Sequence, residues 1–198
     1  MAVTPQKMSL AEFLLLPDPI MAPAYELIDG IVTQKCWPTG PHSATQGGFA
    51  YRIEAFAEPR QIARVFIEAR VILGDDCFVP DLVVCQWDNI PDDGNGNLPD
   101  DFVTPPDLTV EVASPEQSFG NLLQRCRHFV ACGIRVVVLA DPVQRTIHIV
   151  RASGESGPLR DADAIDIADV VPGFEMSMND LFLCLRARPS SGEYCNTQ

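Results

Sequence analysis

The sequence has few basic residues, no long apolar run and no CxxC motif. Only 14 lysines and arginines stand against 27 acidic residues, which gives a formal net charge of −13. Because phosphate contacts supply most of the affinity for nucleic acid, this charge argues against a large DNA-binding surface. No stretch approaches the ~18 uninterrupted apolar residues of a membrane helix. The first 19 residues carry no small-residue cleavage site, so we expect neither a membrane span nor a signal peptide.

Cysteine is present but not in a pattern that indicates disulfides or a zinc knuckle. The seven cysteines are scattered at positions 36, 77, 85, 126, 132, 184 and 195, and their number is odd. This arrangement favours reduced, structural thiols, and therefore a cytoplasmic protein.

What the sequence does contain is enough for one globular domain. With 198 residues, of which 46% are hydrophobic, we expect a single domain over 1–198 with a loose tail from 186 to 198. A capping box, Ser9 with Glu12, predicts a short helix that stops before Pro17. Asp29-Gly30 predicts the turn of a β-hairpin.

The rest of the chain alternates between strand and helix patterns. Residues 38–46 are rich in turn formers. The spacing of apolar residues then predicts a helix over 44–60, strands over 64–73, 78–86 and 107–114, a helix over 118–133, strands over 134–142 and 145–153, and a short helix over 180–185. The β-α-β step from 107–114 to 134–142 implies parallel pairing. The predicted fold is α/β, a mixed β-sheet flanked by helices, with an N-terminal helix and β-hairpin.

Two carboxylates interrupt apolar strands, Asp81 in "FVPDLVV" and Glu111 in "LTVEVA". A buried, isolated carboxylate costs several kcal/mol unless it is paired, protonated or bound to a metal. If the strands pair in register, both groups reach one face of the sheet, where a divalent cation would relieve their repulsion. Oxygen ligands favour Mg²⁺ or Mn²⁺, and the carbonyl of Val112 could add a ligand. A structural reading stays open for Asp81, which could cap a turn at a strand end.

The chain resembles the Uma-two family of restriction-endonuclease-like proteins, a branch of the PD-(D/E)xK nuclease superfamily. The resemblance extends from about Ser9 to Leu183 and is carried by "YELIDGIV", "PTGPH", "FVPDLVV", "PPDLTVEVASPE", "NLLQRCRHFVACGI", "VVVLADP" and "VPGFEMSMNDLF". It implies the superfamily's α/β core, a metal site made by Asp81 and Glu111, and Glu26 as a further ligand. Apart from the resemblance, Glu26 could be an ordinary exposed strand residue.

One part of the family pattern is altered. The family's lysine lies on the helix after the glutamate, in a D-L-x-x-K pattern, and this chain has "NLLQR" there. Asn121 therefore replaces the aspartate and Arg125 the lysine. Arginine keeps the positive charge and can clamp a phosphate, but it stays protonated near pH 7 and cannot act as a base. Arg125 could also be merely solvated, and His42 in "GPHSA" could be structural or contact a phosphate.

Two functions remain open at this level. The first is a Mg²⁺- or Mn²⁺-dependent DNA endonuclease, weakened by the loss of the usual lysine, in which Asp81, Glu111 and Arg125 are catalytic. The resemblance also suggests a homodimer. The second is a catalytically inactive protein of the same fold that acts as a binding or assembly module. The altered helix motif and the acidic charge favour the second function, and the intact "PD…EVAS" favours the first.

Overall fold

The computed structural model describes residues 7–16 and 23–188, and these form a layered α/β structure. The helices of these ranges are α1 (Leu10–Leu14), α2 (Gly40–Ala57), α3 (Phe119–Ala131) and α4 (Met178–Phe182). The strands are β1 (Tyr25–Ile28), β2 (Ile31–Gln34), β3 (Ala63–Ile67), β4 (Val71–Leu73), β5 (Asp76–Phe78), β6 (Leu82–Gln86), β7 (Leu108–Val112), β8 (Val136–Asp141), β9 (Thr146–Arg151) and β10 (Gly154–Leu159). Within these ranges, no helix has the length and apolar content needed to cross a membrane.

The strands form two sheets. A six-stranded sheet has the order β10-β9-β8-β7-β6-β3, and a four-stranded sheet has the order β2-β1-β5-β4. Strands β7 and β8 pair in parallel and the other strand pairs are antiparallel. The predicted mixed sheet, the parallel β-α-β unit, the N-terminal helix and the hairpin are all confirmed.

Two predicted strands are in fact four. The apolar run 64–73 divides into β3 and β4, because the backbone turns at Glu68, which has a φ of 52°. The run 78–86 divides into β5 and β6 at Val79–Asp81, where Pro80 has no N–H to donate to a ladder. In both cases the chain leaves one sheet and enters the other. Asp81 therefore lies at the junction of the two sheets, and not in the middle of a strand.

Helix α2 begins earlier than the composition of residues 38–46 predicts. Thr39 caps the helix, since its hydroxyl accepts a hydrogen bond from the N–H of His42. Pro41 lies in the first turn, where its missing N–H costs nothing. The turn formers are therefore a helix start, and His42 is helical. Strand β10 was not predicted, because its sequence, GESGPL, is polar and exposed along nearly its whole length.

The apolar cores lie on the two faces of the six-stranded sheet. Val110 and Val112 of β7 point to the face that is covered by α2 and the C-terminal segment. The opposite face of the sheet packs against α3 through Leu122, Cys126 and Phe129. The alternation of a strand thus places Glu111, between the two valines, on the α3 side.

Two predictions extend beyond the described residues. Residues 189–198, which include Cys195 and most of the predicted loose tail, lie outside them. The single-domain organisation over 1–198 stays a prediction.

Candidate active site

Three acidic side chains from three different segments lie at the junction of the two sheets. Glu26 comes from β1, Asp81 from the link between β5 and β6, and Glu111 from β7. Their residues are 3%, 2% and 4% exposed, respectively. Carboxylates buried to this extent need compensating partners, and each of the three has one.

Asp81 is held by three groups. Its Oδ1 lies 2.6 Å from Lys35 Nζ and 3.5 Å from His42 Nε2, and its Oδ2 accepts a hydrogen bond of 2.7 Å from the N–H of Val112. Burial alone would raise the pKa of Asp81, but the contact with His42 and the charge of Lys35 outweigh it and lower that pKa to about 2. Asp81 is therefore ionised at neutral pH. Val112, predicted to contribute its carbonyl to a metal, contacts Asp81 through its N–H.

Lys35 is the site residue that the sequence reasoning missed. It follows β2 directly, and its ammonium donates to the carbonyl of Val79 (2.8 Å) as well as to Asp81. Burial lowers the pKa of Lys35, but the charges of Asp81 and Glu111 outweigh it and raise that pKa above its ordinary value. The rarity of lysine could have indicated Lys35, which is one of only two lysines in the chain and ends the hairpin that contains Glu26.

Arg125 contacts the other two carboxylates. Its guanidinium forms a bidentate pair with Glu26, Nη1 to Oε2 at 2.8 Å and Nη2 to Oε1 at 2.6 Å. Its Nε lies 3.3 Å from Glu111 Oε2, and its Cζ lies 4.6 Å from the centre of the Phe129 ring. Glu26 also accepts a hydrogen bond from the N–H of Val79 (2.8 Å). Helix α3 thus presents Arg125 toward the acidic cluster and not into open solvent, one of the two alternatives left open by the sequence.

Glu111 has a weakly acidic carboxyl group. Burial raises its pKa, Arg125 opposes this effect, and the negative charge of Asp81 raises the pKa further, to about 7. Glu111 therefore releases its proton less readily than an ordinary glutamate does. A group of this kind can exchange its proton for a cation with little net change in charge.

An open cleft of about 330 Å³ gives access to this cluster. Its wall includes Glu26, Lys35, Glu111, Asn121 and Arg125, whereas Asp81 does not reach it. The cleft therefore exposes both cations and two of the carboxylates to an incoming molecule. Asn121, in the position of the family's aspartate, lies at the wall of the same cleft.

His42 supports Asp81 from the first turn of α2. Its Nδ1 lies 3.3 Å from the hydroxyl of Ser114, and its Nε2 faces Asp81. Gln46, one turn further along, donates to the backbone carbonyl of Asp81 (2.9 Å). Of the two roles left open for His42, these buried contacts favour the structural one, the fixing of Asp81.

The donor set fits a hard divalent cation. Three carboxylates offer oxygen ligands alone, which suits Mg²⁺ or Mn²⁺ better than zinc. Within 7–16 and 23–188, however, Glu26, Asp81 and Glu111 do not form a tight three-ligand group, since the only such group is made by Asp76, His128 and Cys132. Lys35 and Arg125 hold the carboxylates instead, so a metal would have to take over some of their contacts.

Comparison with known proteins identifies a nuclease-like relative. The model of the Uma2 family, described as "Putative restriction endonuclease", matches residues 10–179. The crystal structure of a putative nuclease belonging to DUF820 from Anabaena variabilis ATCC 29413 is 33% identical, with a TM-score of 0.84. The match covers 90% of this chain and 99% of the Anabaena chain. No curated protein matches the chain.

Proposed function

The chain belongs to the Uma2 family, and from this premise we propose that it is a Mg²⁺- or Mn²⁺-dependent endonuclease that hydrolyses phosphodiester bonds in DNA. The observation that carries the proposal is one cluster of three buried carboxylates and two cations, of which the cleft reaches both cations and the carboxylates of Glu26 and Glu111. Carboxylates that hold a metal, beside cations that hold a phosphate, are the parts that phosphodiester hydrolysis needs.

Asp81, Glu111 and Glu26 would hold the metal, with the Val112 carbonyl as a further ligand. The metal supplies Lewis-acid chemistry and lowers the pKa of a bound water. The chain itself does the rest: His42, Lys35 and the Val112 N–H fix the orientation of Asp81. Arg125 spans Glu26 and Glu111 and keeps both carboxylates at the cleft wall.

We further propose that Lys35 provides the ammonium that the family places on the α3 helix. The family position is Arg125 here, which always carries its proton and is engaged by two carboxylates. Lys35 lines the same cleft from the end of β2 and contacts Asp81, whereas Arg125 contacts Glu26 and Glu111. The compact ammonium of Lys35 lies 2.6 Å from Asp81 Oδ1 and would donate to a phosphate oxygen bound in the cleft. Arg125 then clamps the phosphate or the carboxylates, and Lys35 stabilises the charge that develops on the scissile phosphate.

A second function has its own supporting observation. Every carboxylate of the cluster is neutralised by a side chain: Asp81 by Lys35, and Glu26 and Glu111 by Arg125. Other arginines also form ion pairs with acids, namely Arg70, Arg127, Arg135 and Arg151. Together with the net charge of −13, this pairing reduces the positive charge available to DNA and supports the inactive binding or assembly module.

Cleavage of defined DNA distinguishes the two functions. Purified full-length protein is incubated with plasmid and with single-stranded DNA in Mg²⁺ or Mn²⁺, beside Asp81→Asn and the exposed control Asp100→Asn. If the protein is an endonuclease, the wild type and Asp100→Asn should cleave DNA and Asp81→Asn should not. Cleavage that survives Asp81→Asn places the activity elsewhere, and a wild type that binds Mn²⁺ but cuts nothing favours the module.

The assembly and location also belong to the proposal. A homodimer would place two sites on the two strands of a duplex. The exposed Tyr51 of α2 and Ile67, the last residue of the edge strand β3, offer an apolar surface for it. Sedimentation of wild type and Tyr51→Glu tests this interface, since only the wild type should dimerise.

The six described cysteines are all free, which supports a reducing cytoplasm.

A further inference from the structure

A second group of metal-ligating side chains lies outside the acidic cleft. Asp76 of β5 and His128 and Cys132 of α3 bring one oxygen, one nitrogen and one sulfur atom together. His128 Nε2 lies 2.6 Å from Asp76 Oδ2 and 3.6 Å from Cys132 Sγ, and Sγ lies 4.0 Å from the same Oδ2. None of the three residues lines the cleft that contains Glu111.

The backbone fixes all three positions. His128 and Cys132 are four residues apart at the end of α3, so their side chains lie one above the other on one helix face. Asp76 is 8% exposed, and its other oxygen, Oδ1, accepts a hydrogen bond of 2.8 Å from the N–H of Asp29 in the hairpin turn. That bond orients Oδ2 toward the helix. His128 and Cys132 are half-buried, so water can enter as a further ligand.

We propose that Asp76, His128 and Cys132 form a binding site for a transition metal of the zinc class. Mixed nitrogen, sulfur and oxygen donors suit Zn²⁺ and its neighbours, in contrast to the all-oxygen cluster around Glu111. Three protein ligands leave the fourth tetrahedral position to water. With metal–ligand bonds of ~2.0–2.3 Å, tetrahedral ligands lie roughly 3.3–3.7 Å apart. The two distances to sulfur are already near this range. The short distance between His128 Nε2 and Asp76 Oδ2 would have to increase by less than 1 Å, which a small rotation of either side chain provides.

The location predicts what such a metal would stabilise. It would join the end of α3 to β5 and, through Asp29, to the turn of the hairpin that carries Glu26. Arg125 lies one turn earlier on α3. Bound metal should therefore raise the melting temperature of the protein, and Cys132→Ala should abolish that increase.

Cobalt absorption tests the site, because Co²⁺ bound to a thiolate gives a charge-transfer band that carboxylate sites do not give. The metal-free full-length protein is titrated with Co²⁺ and then with Zn²⁺ in competition. We expect one Co²⁺ with a thiolate band, displaced by one Zn²⁺. Cys132→Ala and His128→Gln should weaken binding by more than the roughly 10- to 100-fold that is typical for loss of an outer-shell partner.

Two controls separate this site from the remaining thiols and carboxylates of the chain. Cys184→Ala removes another half-buried thiol and should leave the band unchanged. Asp81→Asn should also leave the thiolate band unchanged, so this test of the zinc-class site is independent of the nuclease proposal. Circular dichroism of each metal-free variant shows that it folds. A wild type without the band, a band that persists in Cys132→Ala, or a band that Asp81→Asn removes would each overturn the proposal.

Discussion

Replacing Glu111 by glutamine should make the protein more stable at neutral pH but not in acid. The substitution keeps the shape of the side chain and removes its charge. The pKa of Glu111 is raised from 4.5 to about 7, first by burial and then by the charge of Asp81, against the effect of Arg125. Since one pKa unit corresponds to about 1.4 kcal/mol, ionised Glu111 costs the folded protein roughly 3–4 kcal/mol.

The sign of the effect follows from proton binding. Between pH 4.5 and about 7 the folded state holds a proton on Glu111 that the unfolded state has released. The free energy of unfolding of the wild type therefore loses this contribution as the pH rises through that interval. Glu111→Gln has no such loss. The free energy of unfolding of the variant minus that of the wild type should rise with pH and level off above about 7.

Urea denaturation of metal-free protein across this pH interval measures the difference directly. Glu175→Gln, which removes one exposed negative charge away from the acidic cluster, is the matched control for the loss of charge alone. Asp81 does not interfere, because its lowered pKa of about 2 places its titration in stronger acid. A difference for Glu111→Gln that is flat, or that falls as the pH rises, would refute the reasoning.

Three further predictions concern activity and metal binding. Lys35→Met should lower kcat for plasmid cleavage by roughly 100-fold, the typical cost of losing one hydrogen-bond donor to a transition state. Lys7→Met, at the only other lysine, should leave kcat unchanged, and equal rates in the two variants would exclude a role for Lys35. Arg125→Lys should raise cleavage in Mg²⁺ or Mn²⁺, because lysine restores the compact ammonium of the family pattern in place of a planar guanidinium, and Asn121→Asp should raise it further. The plasmid assay contradicts this prediction if the double variant cuts no faster than the wild type. Mn²⁺ binding, measured by calorimetry, should tighten as the pH rises toward 7, because Glu111 must lose its proton before it can bind the metal. Glu111→Ala should abolish Mn²⁺ binding, and equal binding by that variant would place the metal elsewhere.

The parts of the fold that local chemistry specifies were predictable from the sequence. The Ser9 capping box, the Asp29-Gly30 turn and the β-α-β unit all lie where their signals place them. The breaks at Glu68 and Pro80 were not predicted, because an apolar run looks the same whether it stays in one sheet or crosses to another. Only the tertiary arrangement shows that each run serves two sheets.

The candidate site divides in the same way. Asp81 and Glu111 stand out because a charge within an apolar run of sequence needs a partner, and the resemblance adds Glu26 and Arg125. Lys35 has no such local signal. It stands in a polar stretch, and its role depends on the hairpin, which brings the end of β2 to Asp81, 46 residues away along the chain. Contacts between segments so distant in sequence cannot be deduced from the pattern of either one.

The two proposed functions differ in how easily the cations leave the carboxylates. Removal of one partner from a buried ion pair costs ~3–5 kcal/mol. A metal that binds alone must therefore displace Lys35 and Arg125 from the carboxylates at about this cost. DNA brings a phosphate that can accept both displaced cations, and in an endonuclease the metal and the phosphate should therefore bind cooperatively. We expect a phosphorothioate-linked oligonucleotide, which resists cleavage, to tighten Mn²⁺ binding by at least fivefold, the lower end of usual couplings between sites. Lys35→Met should reduce this coupling, since one displaced cation is then missing. An oligonucleotide that binds without changing the Mn²⁺ affinity would mean that the cations stay on the carboxylates, as the inactive module requires.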